Sequence, residues 1–265
     1  MVSIIIVNFN TKDLTLACLT SIYKFSPKEE FEVIVIDNGS SDGSLEKLRE
    51  NRNITLIEAD KNLGFAKGNN LGIKKAKGEY VLLLNSDTEV KKDSIQNLID
   101  FAKRTPDAGA VASRLLNIDG SFQASIFRFP TVERAIKQYW LGRKHILDKY
   151  VPEGESPSEV EVAVMASFLI TPKTLKEVGG LNEKYFMFFE DFDYCRQIKR
   201  KGMKIYYLPS SEVVHHHGAS GRKLADSENQ WRRLIPSSKI YHGLLGHYLF
   251  NFVFWTRQKV LQLFG

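Results

Sequence analysis

The sequence predicts an α/β fold in which a mostly parallel sheet is covered by helices on both faces. Near-continuous apolar runs such as "VSIIIVNFN" and "FEVIVID" are typical of parallel strands that are buried on both faces. These runs alternate with segments in which apolar residues recur every three or four positions, which is the helical period. With 265 residues, 43% hydrophobic and 26% charged, the chain is long enough to bury a full core.

The elements of the first half follow this alternation in order. After the first strand comes a helix whose apolar face is formed by Leu14, Cys18, Ile22 and Phe25, and then the strand "FEVIVID". A third strand "ITLIEA", a fourth strand "YVLLLN", a helix around residues 94–104 and a strand near "AGAVASRLL" come next. This succession predicts a Rossmann-like sheet.

The pattern changes from about Asn117 onward. "NIDGSF" predicts a hairpin turn, because Asp119-Gly120 suits its left-handed positions, and residues 127–158 are predicted to be irregular. Regular structure returns with a strand "EVEVAVMASFLI". A short helix then runs from Thr171-Pro172 to Gly179-Gly180.

Three carboxylates follow a run of aromatic residues in "YFMFFEDFDYCRQIKRKG". Acids at a helix start satisfy backbone N–H groups and complement the helix dipole, and Gly202 suits the end of such a helix. Glu190 is expected to lie before the helix, with Asp191 and Asp193 behind it. Apolar surroundings also shift carboxyl pKa values, which is typical of acid/base catalysts, so capping and catalysis both stay open at this point.

The C-terminal quarter carries the positive charge of the chain. From Arg196 onward there are 12 Lys and Arg against 3 acids, whereas the preceding residues have 25 against 28. Tyr, Phe and Trp are interleaved with these bases around "LLGHYLFNFVFW", which favours an amphipathic helix on an anionic membrane surface; a solvated basic face is the alternative. No nucleic-acid-binding motif occurs, so nucleic acid is not an expected partner.

The cysteines and the N-terminus predict the compartment. Cys18 and Cys195 both fall on apolar helix positions, which indicates packing residues in a reducing compartment, with a single disulfide as the alternative. The start "MVSIIIVNFN" lacks the charged region of a signal peptide, and no stretch reaches the roughly 20 apolar residues of a membrane span. We expect a cytoplasmic protein that lies peripherally at the inner face of the cell membrane.

Polar residues end four strands at the carboxyl edge of the predicted sheet, where open α/β sheets bind ligands. They are Asn8 and Asn10, Asp37 and Asn38, residues 60–62, and residues 85–87. One Asp or Asn after a strand is ordinary turn chemistry, but four such ends predict a ligand site. The first strand is followed by "NFNTKD", which is not a glycine-rich dinucleotide turn, and no P-loop occurs.

Two segments contain candidate metal ligands. Asp87 in "LLLNSDTEV" follows a buried strand, where a divalent ion would bridge the protein and a diphosphate. Such an ion would stabilise the charge of a departing nucleotide. The triplet His215, His216 and His217 follows another strand-like run, and for it both a surface or packing role and a metal-binding role stay open.

Five motifs occur in a fixed order along the chain. They are "VIVIDNGSSDGS", "NLGFAKGNNLGI", "LLLNSDTEV", "SFLITPKTLKEVGGLNEKYFMFFEDFDYCRQIKRKG" and "VVHHHGAS". In this order they resemble the family-2 glycosyltransferases of GT-A fold, in particular the rhamnosyltransferase-like branch. Asn85 stands where many members have the first Asp of a D-x-D motif, and this branch often has Asn there.

The resemblance implies a role for each matching residue. Asp87, the last acid of the D-x-D motif, would bind Mn²⁺ or Mg²⁺. The family histidine in the pattern H-x-x-G-x-S aligns with His215, with His217 as the fallback. The residues implied in nucleotide-sugar binding are Asn8, Asp37, Asn38, Asn62, Lys67, Asn69 and Asp87.

The resemblance also implies the reaction. Asp191 would be the catalytic base of an inverting, in-line displacement, with Glu190 orienting the acceptor or the base, and Asp193 would cap the helix. The donor would be a nucleoside-diphosphate sugar, dTDP-rhamnose first and a UDP-hexose second. The acceptor would be a saccharide or a lipid-linked saccharide in cell-surface polysaccharide synthesis.

These expectations divide the chain into three parts: 1–116 would bind the nucleotide sugar, 117–220 would bind the acceptor and catalyse, and 221–265 would be a basic, aromatic helical extension. A sugar nucleotidyltransferase is the first alternative, but it would have a glycine- and arginine-rich loop in place of "NFNTKD". An inactive sugar- or membrane-binding module is the second. It would be favoured by a damaged acidic motif, whereas Glu190, Asp191, Asp87 and His215 are all present.

Overall fold

The computed structural model describes residues 1–216 and 227–264 and confirms the α/β architecture. The strands are β1 (Val2–Asn8), β2 (Phe31–Asp37), β3 (Thr55–Glu58), β4 (Tyr80–Asn85), β5 (Thr88–Val90), β6 (Ala108–Leu116), β7 (Ile126–Phe127), β8 (Ser158–Val160), β9 (Val162–Ala163), β10 (Ser167–Ile170) and β11 (Lys204–His215). The helices are α1 (Lys12–Lys24), α2 (Ser44–Glu50), α3 (Phe65–Lys75), α4 (Ser94–Arg104), α5 (Val132–Tyr139), α6 (Pro172–Glu177), α7 (Glu190–Arg200) and α8 (Ser227–Phe264).

The central sheet has the strand order β3-β2-β1-β4-β10-β6-β11-β5, with β8 paired to β11 and a separate pair β7-β9. β1 runs parallel to both β2 and β4. The antiparallel strand β10 lies between β4 and β6, so residues on both sides of position 117 contribute to one continuous sheet. The carboxyl ends of β1, β2 and β4 consequently meet at one edge, as expected from the order of the strands.

The core lies on both faces of this sheet. Ile4 and Ile6 pack with one cluster of buried residues, whereas Ile5 packs with the other, because successive side chains of a strand point to opposite faces. Both faces are covered by helices, and this is why the strands appear in the sequence as continuous apolar runs.

Two predictions for the second half are wrong in detail. The segment predicted to be irregular contains α5, whose start is capped by Thr131 Oγ1 accepting the Arg134 N–H at 3.2 Å. The predicted strand "EVEVAVMASFLI" is divided into β8, β9 and β10. Glu161 lies between β8 and β9. Its carboxylate accepts the Phe129 N–H at 2.7 Å and pairs with Arg134, so this residue contacts a loop and interrupts the strand.

The C-terminal helix α8 changes direction at Gly243, which adopts a positive φ of 71°. Its second half contacts α5, since Trp140 Nε1 donates to the Val253 carbonyl at 3.2 Å and the Tyr139 and Phe254 rings meet edge to face. Across residues 1–216 and 227–264, no helix has both the length and the apolar character needed to cross a membrane.

Candidate active site

The first component of the site is a buried pair at the ends of β1 and β2. Asn8 and Asp37 are register partners, and Asn8 Nδ2 donates to Asp37 Oδ2 at 2.7 Å. The other carboxylate oxygen of Asp37 accepts the Ser40 N–H at 3.0 Å. Asp37 is only 1% exposed, so these donors compensate for the loss of water around its charge.

A chain of hydroxyl groups continues from this pair to the end of β4. Thr11 and Thr15 each donate to Asn8 Oδ1 at 2.8 Å, and Thr11 Oγ1 also lies 2.9 Å from Ser86 Oγ. Thr11 and Ser86 are both buried. Ser86 falls in the predicted polar edge, whereas Thr11 and Thr15 were not predicted, although hydroxyl side chains next to a predicted strand end were a usable signal.

The second component is the loop between β3 and α3. Asn38 Nδ2 donates to Asn62 Oδ1 at 3.1 Å, and Asn38 Oδ1 accepts the Leu63 N–H, so Asn38 fixes the backbone of this loop. Lys67 is exposed on the first turns of α3. Asn69 is instead buried and donates to the Phe65 carbonyl of its own helix at 2.9 Å.

This loop contacts the aromatic run that precedes the acidic motif. Phe65 N donates to the Phe186 carbonyl at 2.8 Å. Gly64 has a φ of +83°, and a Cβ atom there would lie 2.3 Å from the Phe186 oxygen, so only glycine fits without a backbone shift. Asn70 strengthens the junction, since it exchanges hydrogen bonds with the Leu181 backbone.

The third component is Asp87 with His215. Pairing of β5 with β11 sets Thr88 opposite His215, and the His216 N–H donates to the Asp87 carbonyl at 2.9 Å. As a result His215 Nε2 lies 3.4 Å from Asp87 Oδ1, and both side chains are buried. His217 lies outside the described residues.

Gln123 orients the His215 ring. Gln123 Oε1 lies 2.7 Å from His215 Nδ1, and its Nε2 donates to the His215 carbonyl at 3.1 Å. We assign the Nδ1–H tautomer from this contact, which directs the Nε2 lone pair toward Asp87. The neighbouring His216 differs, because its Nε2 contacts Glu89 at 2.7 Å.

The donor set of Asp87 and His215 fits a divalent ion that also takes oxygen ligands from a substrate. A carboxylate oxygen and an imidazole nitrogen are suitable ligands for Mn²⁺, and Mg²⁺ is commonly held by one or two carboxylates together with phosphate oxygens. Among the described residues, no group of three or more His, Cys, Asp or Glu side chains is arranged to hold a metal alone. The pair would therefore depend on substrate oxygens to complete the coordination.

The fourth component is the acidic motif at the start of α7. Glu190 is the first residue of this helix, so the prediction that it lies before the helix is wrong. Phe188 and Phe189 have φ values of 70° and 67°, a conformation that costs free energy in residues with a side chain. These two residues turn the chain sharply at the start of α7, where the N-cap residue is Phe189 and provides no side-chain cap. Asp191 Oδ1 instead accepts the Phe192 N–H of the first turn at 2.8 Å.

Burial perturbs both carboxyl groups of the motif. Glu190 is 8% exposed, and its Oε2 finds no hydrogen-bond partner within residues 1–216 and 227–264. Desolvation, with a smaller contribution from the charge of Asp191, raises the pKa of Glu190. Desolvation likewise raises the pKa of Asp191, which the Phe192 N–H and the charge of Lys149 partly counteract.

Asp193 does not cap the helix, contrary to the prediction from the sequence. Its two carboxylate oxygens accept hydrogen bonds from Arg196 Nη2 at 2.7 Å and Gln197 Nε2 at 2.8 Å. Residues three and four positions apart lie on one face of a helix, and these partners were available on the same turn. Asp193 is therefore a structural acid, distinct from its two neighbours.

The first half of α8 packs against the residues that flank the acidic motif. Tyr241 packs against the Phe189 and Phe192 rings, with centroids 5.3 Å and 6.1 Å away, and Arg196 lies over its ring at 4.1 Å. Ser237 Oγ donates to the Met187 carbonyl at 2.9 Å. These contacts hold the strained backbone of the aromatic run.

Comparison with known proteins identifies the family of the chain. Residues 3–157 match the family Glycosyl transferase family 2. An N-acetylglucosaminyl-diphospho-decaprenol L-rhamnosyltransferase of Mycobacterium tuberculosis is 31% identical over 206 residues, which cover 71% of this chain and 67% of the relative. Rhamnosyltransferase WbbL of Escherichia coli is 24% identical over 241 residues, covering 87% of this chain and 89% of the relative.

A solved structure supports the fold. The crystal structure of GalNAc-T7 with UDP, GalNAc and Mn²⁺ superposes with a TM-score of 0.64 at 19% identity, covering 81% of this chain and 43% of that chain. The fold and the site define a glycosyltransferase of GT-A type. More narrowly, the chain belongs to glycosyl transferase family 2, in the rhamnosyltransferase-like branch.

Glu190→Gln is expected to stabilise the folded protein at alkaline pH. The folded state raises the pKa of Glu190 above its ordinary value of about 4. At pH values between the ordinary and the raised pKa, the folded protein therefore binds more protons than the unfolded chain. The free energy of unfolding therefore falls as the pH rises through this range, and the neutral variant avoids that loss.

Thermal unfolding measured from about pH 4.5 to pH 8.5 tests this linkage. The midpoint of Glu190→Gln should exceed that of the wild type at the alkaline end, by about 2–4 °C for each 1 kcal/mol recovered, and the difference should shrink toward acid pH. Glu153→Gln is the matched control, because Glu153 is exposed. A lower alkaline midpoint for Glu190→Gln would show that the charged carboxylate is stabilising.

Proposed function

We propose that the protein is a metal-dependent, inverting glycosyltransferase that moves a sugar from a nucleoside-diphosphate sugar to an acceptor hydroxyl. The observation that carries the proposal is the desolvated acid pair of Glu190, which is buried, and Asp191, which is half-buried. The Gly64–Phe186 contact joins this pair to a polar edge that contains Asp37. A desolvated acid pair of this kind is suited to accept a proton from a substrate, and the polar edge is suited to bind a nucleotide.

Asp37 and its hydrogen-bond partners would bind the nucleoside. A carboxylate held by Asn8 and the Ser40 N–H is preorganised to accept hydrogen bonds from a base or a ribose. Asn62 and Lys67 would lie toward the diphosphate or the sugar. We propose dTDP-rhamnose as the first donor, because two relatives are rhamnosyltransferases by name, and a UDP-hexose as the second.

Asp191 would be the base. In a single in-line displacement it takes the proton of the acceptor hydroxyl while that oxygen forms a bond to the anomeric carbon and the bond from this carbon to the diphosphate breaks. The raised pKa of Asp191 makes it a stronger base than an ordinary carboxylate, and this supports the assignment. Glu190 would orient the acceptor, since its Oε2 is buried and has no partner within residues 1–216 and 227–264.

Asp87 and His215 would hold Mn²⁺ or Mg²⁺. The bound ion would neutralise the negative charge that develops on the nucleoside diphosphate. Gln123 would keep the His215 ring in the tautomer that binds metal through Nε2.

The acceptor would be a lipid-linked saccharide, and α8 would contact the membrane that contains it. The mycobacterial relative is named for an acceptor linked through a diphosphate to decaprenol. The second half of α8 has a contiguous apolar face of exposed side chains, formed by Leu245, Tyr248, Leu249, Phe252 and Trp255. Lys239, Arg257 and Lys259 accompany it, and residues 233–264 contain no acid, which suits an anionic lipid surface at the inner leaflet.

Asp191→Asn is expected to lower the transfer rate by about 100- to 10 000-fold, because the amide cannot accept the proton. Nucleotide binding, measured by calorimetry with UDP or dTDP and Mn²⁺, should stay within about 2-fold of the wild type, since no contact to the polar edge is removed. Asp193→Asn is the control, and it should reduce thermal stability while retaining turnover. Turnover retained by Asp191→Asn would exclude Asp191 as the base.

Chelation with EDTA is expected to abolish transfer, and Mn²⁺ or Mg²⁺ should restore it. His215→Asn should weaken Mn²⁺ binding by about 10- to 100-fold, as losses at metal sites commonly do. His216→Asn is the matched control, because His216 contacts Glu89 instead of Asp87. Calorimetry of Mn²⁺ in the presence of UDP provides a readout that does not depend on activity. Full transfer in excess EDTA would contradict the metal role.

Replacing Leu245, Tyr248, Leu249 and Phe252 together by Ser is expected to release the protein from anionic vesicles. Each buried apolar side chain contributes about 1.5–3 kcal/mol, so partitioning should fall by at least about 100-fold. Cosedimentation with phosphatidylglycerol vesicles measures the change. Ile118→Ser is the control, because Ile118 is as exposed as Leu245 but lies far from α8 in the sequence. Unchanged cosedimentation of the fourfold variant would refute the contact.

A further inference from the structure

Lys149 lies beside the acidic motif, at the end of the loop that follows α5. Tyr150 pairs with Ile126 through hydrogen bonds of 2.9 Å and 3.1 Å, in an antiparallel bridge. Lys149 is therefore opposite Phe127, and its Nζ lies 5.4 Å from the centre of that ring. The Phe127 ring in turn lies 4.9 Å from the ring of Phe192, the residue after Asp191.

The ammonium group of Lys149 acts on Asp191 and remains accessible. Its positive charge lowers the pKa of Asp191, and Asp191 opposes the desolvation that lowers the pKa of Lys149. Within residues 1–216 and 227–264, no carboxylate lies within 4.0 Å of Lys149 Nζ, and the neighbouring Asp148 pairs with His145 at 2.8 Å. The side chain is exposed, so a ligand can reach it.

The same loop begins at the apolar surface that we assign to the membrane. Trp140 and Leu141 are 45% and 66% exposed, and Trp140 is fixed to the second half of α8 by its bond to Val253. Seven residues separate Leu141 from Lys149. The loop therefore connects the apolar surface to Lys149. A ligand whose apolar chain contacts Leu141 and whose charged group contacts Lys149 would place the group attached to that charged group near Asp191.

We propose that Lys149 binds the diphosphate of a lipid-linked acceptor and so presents the acceptor hydroxyl to Asp191. This inference rests on the proposed function and names the chemical group that the acceptor must carry. An ammonium group is a compact point charge that pairs well with phosphate oxygens. The donor diphosphate is not its partner in this arrangement, because the donor side is formed by Asp87 and His215 at the end of a different strand.

The alternative role for Lys149 is to position Asp191 or keep it charged. In that role the loss of Lys149 would affect every acceptor, with or without a phosphate. In the proposed role the loss would affect only acceptors that carry the diphosphate. Lys149→Met separates the two, because it removes the charge and retains most of the apolar stem against Phe127.

A binding experiment tests the site without turnover. Geranyl diphosphate is titrated by calorimetry into the full-length protein saturated with UDP and Mn²⁺, which fill the donor side. We expect Lys149→Met to weaken its binding by about 10- to 100-fold, whereas Lys201→Met, an exposed lysine at the far end of α7, should match the wild type. Equal binding by Lys149→Met, or no binding to the UDP-saturated wild type, would overturn the proposal. Binding of inorganic pyrophosphate as tight as that of geranyl diphosphate would assign the site to a soluble phosphate and would also overturn it.

A kinetic experiment separates this inference from the proposed function. Transfer is compared between an acceptor saccharide linked to a short isoprenoid diphosphate and the same saccharide on an octyl glycoside. Lys149→Met should raise KM about 10-fold or more for the first acceptor and leave kcat/KM for the second within about 2-fold. A loss of kcat on both acceptors would assign Lys149 to positioning Asp191. Absence of transfer to either acceptor by the wild type would count against the proposed function, while the geranyl diphosphate result would stand.

Discussion

The parallel register of β1 between β2 and β4 is the constraint on which the rest of the site depends. It sets Asn8 opposite Asp37 and Val7 opposite Asn85, so polar residues from three distant segments end at one edge. A shift of one residue would turn every side chain of β1 to the opposite face of the sheet. Such a shift is prevented because both faces of β1 are fully packed, with Ile4 and Ile6 on one side and Ile5 on the other.

The arrangement of the acidic motif in the folded protein costs free energy. Two adjacent carboxyl groups are desolvated, and the two residues before them have positive φ values, each of which opposes folding. The aromatic contacts of Tyr241 and the Ser237 bond to Met187 come from α8 and offset this cost. A site that is less stable than its surroundings is expected where a group must be poised to react, because full satisfaction of Glu190 and Asp191 would remove their basicity.

Much of this arrangement is predictable from the sequence, and the parts that are not have an identifiable cause. The strand-end residues Asn8 and Asp37 follow from apolar runs and the rule for parallel sheets, since both signals are local. Contacts between remote segments leave little local signal, which is why Gln123 was missed as the partner of His215. α5 was missed in spite of the local cap from Thr131, because its C-terminal end is held by contacts to α8, more than a hundred positions later.

Sequence-based prediction also failed for Asp193, where two local rules for acids in a helix gave different partners. An acid in the first turn of a helix satisfies the capping pattern, yet Asp193 bonds Arg196 and Gln197 because side-chain donors one turn ahead were closer partners. The same spacing rule explains why Glu190 and Asp191 differ from Asp193: Arg196 and Gln197 lie more than four positions after both of them. The contact between Gly64 and Phe186 then joins this run to the loop fixed by Asn38. Because Phe65 N–H donates to the Phe186 carbonyl and Gly64 leaves no room for a side chain there, the positions of this loop and of the acid pair that follows the aromatic run depend on each other.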